Sequence, residues 1–183
     1  MSNKRVNLSG ENLTAIEVAE HFEVLQKALR NLYHHPPDWL RHRFPNEPPS
    51  AMASDLDNRL LEIERDGSLT LLAAIEASFR VDFLDRVYNR RKDALSRACR
   101  TLYANVGARP KLEDELFALW LDYTHIAPSL ISDLRGAFNY RHWLAHGRYW
   151  TPRFGRRYDF DNVFLLAQAA VNALDIAVPL ERK

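Results

Sequence analysis

Residues 68–89, SLTLLAAIEASFRVDFLDRVYN, carry the clearest periodic pattern in the chain. Apolar side chains recur there every three or four residues, which places them on one face of an α-helix. The positions on this face are Leu72, Ile75, Phe79, Phe83 and Val87. The pattern predicts a helix that buries one side in the core of the protein.

Similar spacings elsewhere predict an all-α protein. We expect a first helix from about Asn12 to Tyr33, and a short helix that Asp55 caps and that runs through Ile63. The residues DGS at 66–68 would end that short helix and start the next one. Four more helices are expected. One has Leu95, Cys99 and Leu102 on its inner face, and the next is opened by Pro110 and buries Leu112, Leu116, Leu119, Tyr123 and Ile126. The last two run from Ser129 to Gly147 and from Asp161 to Val178.

The composition favours a bundle of these helices over any sheet. The chain has only six glycines in 183 residues, and it has almost no alternating β-branched runs. We therefore expect one helical domain over residues 1–183, built from about five to seven helices. Residues 34–50, HHPPDWLRHRFPNEPPS, hold five of the nine prolines. Because proline lacks a backbone donor, this segment should form an irregular excursion from the bundle.

Composition also limits where the protein acts. Hydrophobic residues make up 46% and charged residues 27% of the chain, as in ordinary globular proteins. A single cysteine, Cys99, cannot form an internal disulfide, which favours a reducing compartment. The start MSNKRVNLSGENL has no apolar segment typical of a signal peptide, and no apolar run approaches membrane-spanning length. We expect a cytoplasmic, soluble protein without a membrane partner.

The net charge of +1 is unevenly distributed along the chain. Residues 86–109 contain seven basic residues and one acid, and residues 135–157 contain six arginines and no acid. These two segments together carry +12, so the remainder carries −11. Such segregation would present a basic face to an anion such as nucleic acid, or the two signs would neutralise each other across the fold. The sequence leaves both interpretations open.

Residues 138–150, FNYRHWLAHGRYW, concentrate ionisable side chains on the helix predicted from Ser129 to Gly147. The spacing i, i+4, i+7, i+11 predicts one polar stripe, formed by Arg135, Asn139, His142 and His146. Arg141 lies about 140° around the helix from His146. One helix therefore brings these two side chains near each other without full convergence, and a second copy in a symmetric dimer would complete the site.

The pattern Arg141-His142-x-x-x-His146, late in a small all-helical chain, resembles the motif of the HEPN superfamily (higher eukaryotes and prokaryotes nucleotide-binding). That motif is an arginine, usually followed by a polar residue, and then a histidine after a short gap, which here is four residues. LAHG at 144–147 looks like the sequence around the motif in several branches of the superfamily. Residues 71–87 are similar to the helix that precedes the motif helix in the branch called RiboL-PSP-HEPN. The resemblance covers residues 68–178.

This resemblance implies a metal-independent endoribonuclease that works as a homodimer and needs no cofactor. RNA supplies its own nucleophile, the 2′-hydroxyl, so the protein has only to manage protons and phosphate charge. Imidazole groups ionise near neutral pH, and His146 would act as general base or acid. Arg141 would hold the phosphate and stabilise the transition state. His142 or Asn139 would orient the scissile phosphate. The products would be a 2′,3′-cyclic phosphate and a 5′-hydroxyl.

The same resemblance implies a toxin or antiviral defence role, with an antitoxin or a nucleotidyltransferase as a possible partner. In toxin members paired with a small nucleotidyltransferase, a tyrosine lies two positions after the motif histidine and becomes modified. Arg148 occupies that position here, and the tyrosine follows as Tyr149. This departure puts regulation by tyrosine adenylylation in doubt.

Several further residues have two interpretations. Glu76 or Arg80 would position Arg141 in the functional interpretation, and otherwise they form an ordinary i, i+4 ion pair on a helix, as Asp82 and Arg86 do. The stretch GRYWTPRFGRR at 147–157 is either a loop held by packing or an RNA-binding segment. In the latter case its contact residues, together with Arg135, would be Arg148, Tyr149, Trp150 and Arg153.

The motif residues also have interpretations that do not involve catalysis. Arg141 and His146 could instead be structural residues that hydrogen-bond acids from another helix or stabilise a dimer. His142 and His146 have a spacing that can seat a metal, but no glutamate follows His142 and no third ligand is obvious nearby, so we predict no metal site. The chain could instead be a non-catalytic HEPN module that binds RNA, nucleotide or a partner protein, or a structural adaptor.

Overall fold

The computed structural model describes residues 5–176, which form helices and no strand. A π-helical turn, Leu112–Leu116, leads directly into the fifth of seven α-helices. The helices are α1 (Ala15–His34), α2 (Asp38–Arg41), α3 (Pro49–Tyr88), α4 (Ala94–Val106), α5 (Phe117–Tyr123), α6 (Pro128–Ala145) and α7 (Phe160–Ile176). The predicted all-α bundle of five to seven helices is confirmed.

The central helix is α3, which is 40 residues long and packs against α1, α4, α6 and α7. At 1.5 Å per residue its length is about 60 Å. Its second half is the segment with the clearest apolar pattern, and that pattern is confirmed. All five predicted positions are buried, and Phe79 and Phe83 are completely inaccessible to solvent.

The predicted short helix from Asp55 to Ile63, ended by DGS at 66–68, is wrong because α3 continues through this region. A Cβ atom at Gly67 would lie 2.8 Å from the ring of Phe160 and 3.1 Å from that of Phe22. These two rings stack with centroids 3.7 Å apart. Gly67 therefore lets α1 and α7 approach α3 closely, and this packing overrides the local tendency of glycine to end a helix.

α1 lies antiparallel to the first half of α3, and the Pro-rich segment joins the two at the tip of this hairpin. Asp55 lies inside α3 and is therefore not a helix cap. Its carboxylate accepts a hydrogen bond from the Tyr33 hydroxyl near the tip. The predicted irregular excursion contains one short helix, α2, whose Leu40 is buried. Tyr33, Leu40 and Leu60 are all buried outside the main hydrophobic cluster. The hairpin tip therefore packs apart from the core.

The helix predicted to open at Pro110 begins with a π-helical turn at Leu112, and its predicted inner residues Leu112, Leu116 and Ile126 are buried. The π-helical turn after Lys111 adds a residue to one helical turn, which rotates the subsequent residues of the helix by about 100°. Tyr123, expected inside, is 49% exposed. Phe117 and Trp120 are completely buried in its place. Pro110 itself precedes the turn, and its carbonyl accepts a hydrogen bond from Arg80.

A buried arginine, Arg86, connects α3 to the start of α4. The sequence predicts an ordinary helix-surface pair for Asp82 and Arg86, but the Arg86 side chain is completely buried. Its Nε donates to Asp82 Oδ2 over 2.7 Å, and a second nitrogen donates to Asp93 over 3.5 Å. Asp93 in turn caps α4 by accepting from the Ser96 N–H. Cys99 is buried beside this cluster as predicted, and burial raises the pKa of its thiol to about 12.

The last two helices follow the sequence closely. α6 begins and ends within two residues of the prediction, and the expected inner face of α7 is buried at Val163, Ala167, Ala170 and Leu174. Val178, the predicted end of α7, lies outside the described residues. Within residues 5–176 no helix combines the length and apolar character that crossing a membrane requires.

Candidate functional site

The motif predicted from the sequence lies at the C-terminal end of α6. His146 caps the helix, and Gly147 comes next with a φ of 77°. The Gly147 N–H donates to the Leu144 carbonyl over 3.3 Å, and the Arg148 N–H donates to the Trp143 carbonyl over 3.1 Å. This is the hydrogen-bond pattern of a Schellman motif, in which glycine supplies the left-handed residue. It fixes His146 at the point where α6 gives way to the next loop.

His142 and His146 lie side by side at this helix end, as their spacing predicts. Their ring centroids are 4.2 Å apart, and the ring planes meet at 53°. Both residues are exposed. The indole of Trp150, from the adjoining loop, lies 5.9 Å from the His142 ring. Two solvent-accessible imidazoles at this separation can act on neighbouring atoms of one ligand.

A cleft of about 310 Å³ opens beside His142, between α6 and the loop that joins α6 to α7. It combines an amide, an imidazole and a guanidinium with aromatic rings. Its lining residues include Asn139, His142, Trp150, Arg153, Phe154 and Tyr158. The sequence predicts the first four of these as site residues, and no acidic residue of the described chain lines the cleft.

The loop that forms the outer wall of the cleft, residues 147–159, is held by packing. The Trp143 Nε1–H donates to the Trp150 carbonyl over 2.8 Å. The rings of Tyr140 and Tyr158 stack with centroids 5.5 Å apart, and Phe154 meets Tyr140 edge-on at 5.4 Å. Burial raises the pKa of both tyrosines, so their phenols remain protonated around neutral pH. The loop is thus a fixed wall, and its role in RNA contact stays a prediction.

Gly136 on α6 is what admits Tyr158 to this packing. A Cβ atom there would lie 2.2 Å from the Tyr158 hydroxyl oxygen. We expect Gly136→Ala to displace Tyr158 and to lower the free energy of unfolding by roughly 1–3 kcal/mol, which is the usual cost of overpacking. Urea unfolding checks this, with Gly155→Ala as the matched control because nothing lies within 4 Å of a Cβ there. Equal stability of Gly136→Ala and wild type would contradict this packing.

Arg141 contacts α3 and is not part of the cleft lining. Its guanidinium lies 3.4 Å from Glu76 Oε2. Glu76 Oε1 accepts from Arg80 Nε over 2.8 Å, and Arg80 also donates to the carbonyl of Pro110 over 3.0 Å. The predicted facing of Glu76 and Arg141 is therefore observed. Arg141 Nε is buried and has no hydrogen-bond partner among the described residues.

Carboxylates of α3, of α6 and of the α6–α7 loop itself pair with most arginines of residues 135–157. Arg148 lies 2.8 Å from the Glu62 carboxylate on α3, and this bond holds the pKa of Glu62 below its usual range. Two further pairs are Arg156–Asp133 at 2.9 Å and Arg157–Asp159 at 3.2 Å. Of the two interpretations of the charge pattern, neutralisation across the fold accounts for these arginines. Arg148, predicted to bind RNA, is engaged within the protein.

The other predicted RNA-contact residues remain accessible. Arg135 is exposed and donates to the backbone carbonyl of Glu113 over 3.1 Å. Arg153 is exposed and forms no ion pair within residues 5–176. Tyr149 is 83% exposed, with its ring 4.7 Å from that of Trp150. These two rings offer aromatic surface at the edge of the cleft.

Sequence reasoning missed Gly136, Phe154 and Tyr158, which shape the cleft. The available signal was the glycine itself, since a glycine inside a helical pattern often marks close packing. Within the described part of the chain, no group of three or more His, Cys, Asp or Glu side chains is placed to hold a metal ion. Within residues 5–176, His142 and His146 are therefore not joined by a third His, Cys, Asp or Glu in such a group.

Comparison of the chain with protein-family models, with curated proteins and with solved structures gave no match.

Proposed function

We propose that this protein is a metal-independent endoribonuclease of the HEPN type that acts as a homodimer in the cytoplasm. The observation that carries the proposal is the exposed histidine pair, His142 and His146, with rings 4.2 Å apart beside a cleft whose described lining is free of acids. These groups suit an RNA phosphodiester, because histidines transfer protons, cations bind phosphate and an indole stacks on a base. A toxin or defence role, restrained by an antitoxin or nucleotidyltransferase partner, would fit such an activity.

The reaction uses the nucleophile that RNA carries. His146 as general base takes the proton of the 2′-hydroxyl, whose oxygen attacks the adjacent phosphorus. The bond from phosphorus to the 5′-oxygen breaks, and that oxygen takes up a proton from a general acid. The products are a 2′,3′-cyclic phosphate and a 5′-hydroxyl. His142 and Asn139, which share one side of α6 with His146, orient the scissile phosphate.

Dimerisation about the end of α6 would complete this site. Arg141 and His146 diverge on the helix, and Arg141 contacts α3 within its own protomer. A second α6 related by a two-fold axis would bring the partner's Arg141 toward His146 of the first protomer. By the same symmetry, Arg141 of the first protomer would approach the partner's His146. His142, His146 and Tyr149 are exposed and accessible to such a contact.

The test is cleavage of total RNA and tRNA in EDTA by wild type, His146→Ala and His125→Ala. His125 is an exposed histidine outside the cleft and serves as the matched control. Wild type and His125→Ala should cut in EDTA. His146→Ala should cut about 10²–10⁴-fold more slowly, because it lacks the group that transfers a proton. Cleavage by His146→Ala at the wild-type rate would refute the proposal, and cleavage abolished by EDTA would point to His142 and His146 as metal ligands.

The second candidate is a non-catalytic HEPN-type module that binds RNA, nucleotide or a partner protein. The observation that favours it is the ion pair of Arg141 with Glu76, because a guanidinium held by a carboxylate is less available to a developing charge on phosphate. A wild-type protein that shifts RNA in a gel but leaves it intact would establish this alternative. A structural adaptor would do neither.

A further inference from the structure

We propose that Arg153, and not Arg141, is the arginine that binds an RNA phosphate beside His142 within each protomer. This assignment rests on the proposed function, since it names the phosphate contact of the same cleft. It differs from the role that the motif resemblance gives to Arg141.

The pairing of the arginines supports the assignment. Three of the four arginines in the α6–α7 loop are engaged by carboxylates: Arg148 by Glu62, Arg156 by Asp133 and Arg157 by Asp159. Arg153 is the fourth, and in the described chain it forms no ion pair. An incoming phosphate would have to displace a carboxylate at the other three positions. At Arg153 no carboxylate of the described residues has to be displaced.

The position of Arg153 supports it as well. Arg153 lines the same cleft as Asn139, His142 and Trp150. No acid is among the described residues that line the cleft. The carboxylates of Glu113 and Asp133 lie outside the lining, near His142 and Tyr158 respectively. Guanidinium groups bind phosphate oxygens through paired, charge-assisted hydrogen bonds. A volume of about 310 Å³ lies at the small end of ligand sites, which fits one nucleotide with its base against Trp150.

The surroundings of Arg141 argue for a different role there. Glu76 on α3 lies between Arg141 and Arg80 and contacts both guanidinium groups. Arg80 extends the connection to the carbonyl of Pro110. Arg141 thus ties α6 to α3 and orients the helix end that carries the histidines. It is a positioning residue in this arrangement.

The test measures binding of a single-stranded 2′-O-methyl RNA of mixed sequence, whose blocked 2′-oxygens prevent cleavage. Affinity is determined by fluorescence anisotropy over a range of salt concentrations for wild type, Arg153→Ala, Arg153→Lys and Arg157→Ala. Arg157 is the matched control because it lies in the same loop, is 81% exposed and is paired with Asp159.

Arg153→Ala should bind about 10–100-fold more weakly, which corresponds to loss of a hydrogen bond to a charged group. Its slope of log affinity against log salt should fall by about 0.7, the value for one phosphate contact on a single strand. Arg153→Lys should recover most of that slope because it restores the charge. Arg157→Ala should keep the wild-type slope.

The outcomes separate this assignment from the proposed function. An affinity and a salt slope in Arg153→Ala equal to those of wild type would overturn the assignment and leave the proposed function standing. A wild-type protein that neither binds this RNA nor cuts natural RNA would overturn both. Both would be supported if wild type binds this RNA and cuts natural RNA, and if Arg153→Ala lowers the salt slope whereas Arg157→Ala does not.

Discussion

Arg86→Ala should lower the free energy of unfolding by about 3–5 kcal/mol, the usual cost of removing one partner from a buried ion pair. The Arg86 side chain has no solvent exposure, and it bonds Asp82 on its own helix and Asp93 at the start of α4. Its removal leaves the Asp82 carboxylate buried without this cation. It also breaks the connection between α3 and the cap of α4.

The size of this loss should depend on pH. Burial raises the pKa of Asp82 even with Arg86 beside it. An acid whose pKa is higher in the folded than in the unfolded state favours folding when it is protonated, and this contribution is lost as pH rises through the folded-state pKa. Without Arg86 that pKa rises further. Arg86→Ala should therefore be more destabilised at pH 8 than at pH 5, where the Asp82 carboxyl takes up a proton more readily.

Urea unfolding at both pH values measures this effect. Lys27→Ala is the control, because Lys27 and Glu23 form an i, i+4 pair whose side chains are 73% and 63% exposed. It should unfold like wild type, since exposed ion pairs contribute little. Asp82→Asn combined with Arg86→Ala should remove most of the pH dependence. A loss in Arg86→Ala no larger than in Lys27→Ala would show that the pair is not buried in solution.

Trp120→Ala should lower the free energy of unfolding by about 3–5 kcal/mol, because it leaves a large cavity in the core. Trp120 is completely buried and meets the ring of Phe79 edge-on, with centroids 5.4 Å apart. Thermal or urea unfolding measures the loss. Trp39→Ala is the control, since Trp39 is 57% exposed on the hairpin tip and should cost far less.

Trp120→Phe separates volume from hydrogen bonding at the same position. The indole Nε1 of Trp120 is buried without a hydrogen-bond partner among the described residues. Phenylalanine keeps an aromatic ring against Phe79 and removes that unsatisfied donor, so it should cost much less than alanine. A loss as large as that of Trp120→Ala would mean that Nε1 has a bonding partner, such as an ordered water.

Local periodicity was enough to predict the second half of α3, and α4, α6 and α7, because in these helices the buried face repeats without interruption. It failed at Gly67, since a glycine that ends a helix and one that admits a neighbouring ring look alike in sequence. The rings that decide the case, Phe22 and Phe160, are remote in the chain. It also failed at Leu112–Leu116, because the extra residue of a π-helical turn is not visible as a change in composition.

The candidate site was predictable only in part for a related reason. The proximity of His142 and His146 follows from i, i+4 spacing on one helix. The partner of each arginine does not, because the acids come from distant segments: Arg148 binds Glu62 across 86 residues. Which arginine keeps its charge available for an anion is decided by the assembled fold.

The hairpin of α1 and α3 could change in length in related sequences without a change in the cleft. Its tip buries Tyr33, Leu40 and Leu60 apart from the main cluster, whereas the loop that walls the cleft contacts α3 at Glu62, beyond these residues. Matched whole turns could be added to or deleted from both hairpin helices near the tip without any compensating change in α6. The tip of the hairpin is thus a region in which related sequences could differ in length and acquire new surfaces, while the residues that line the cleft stay the same.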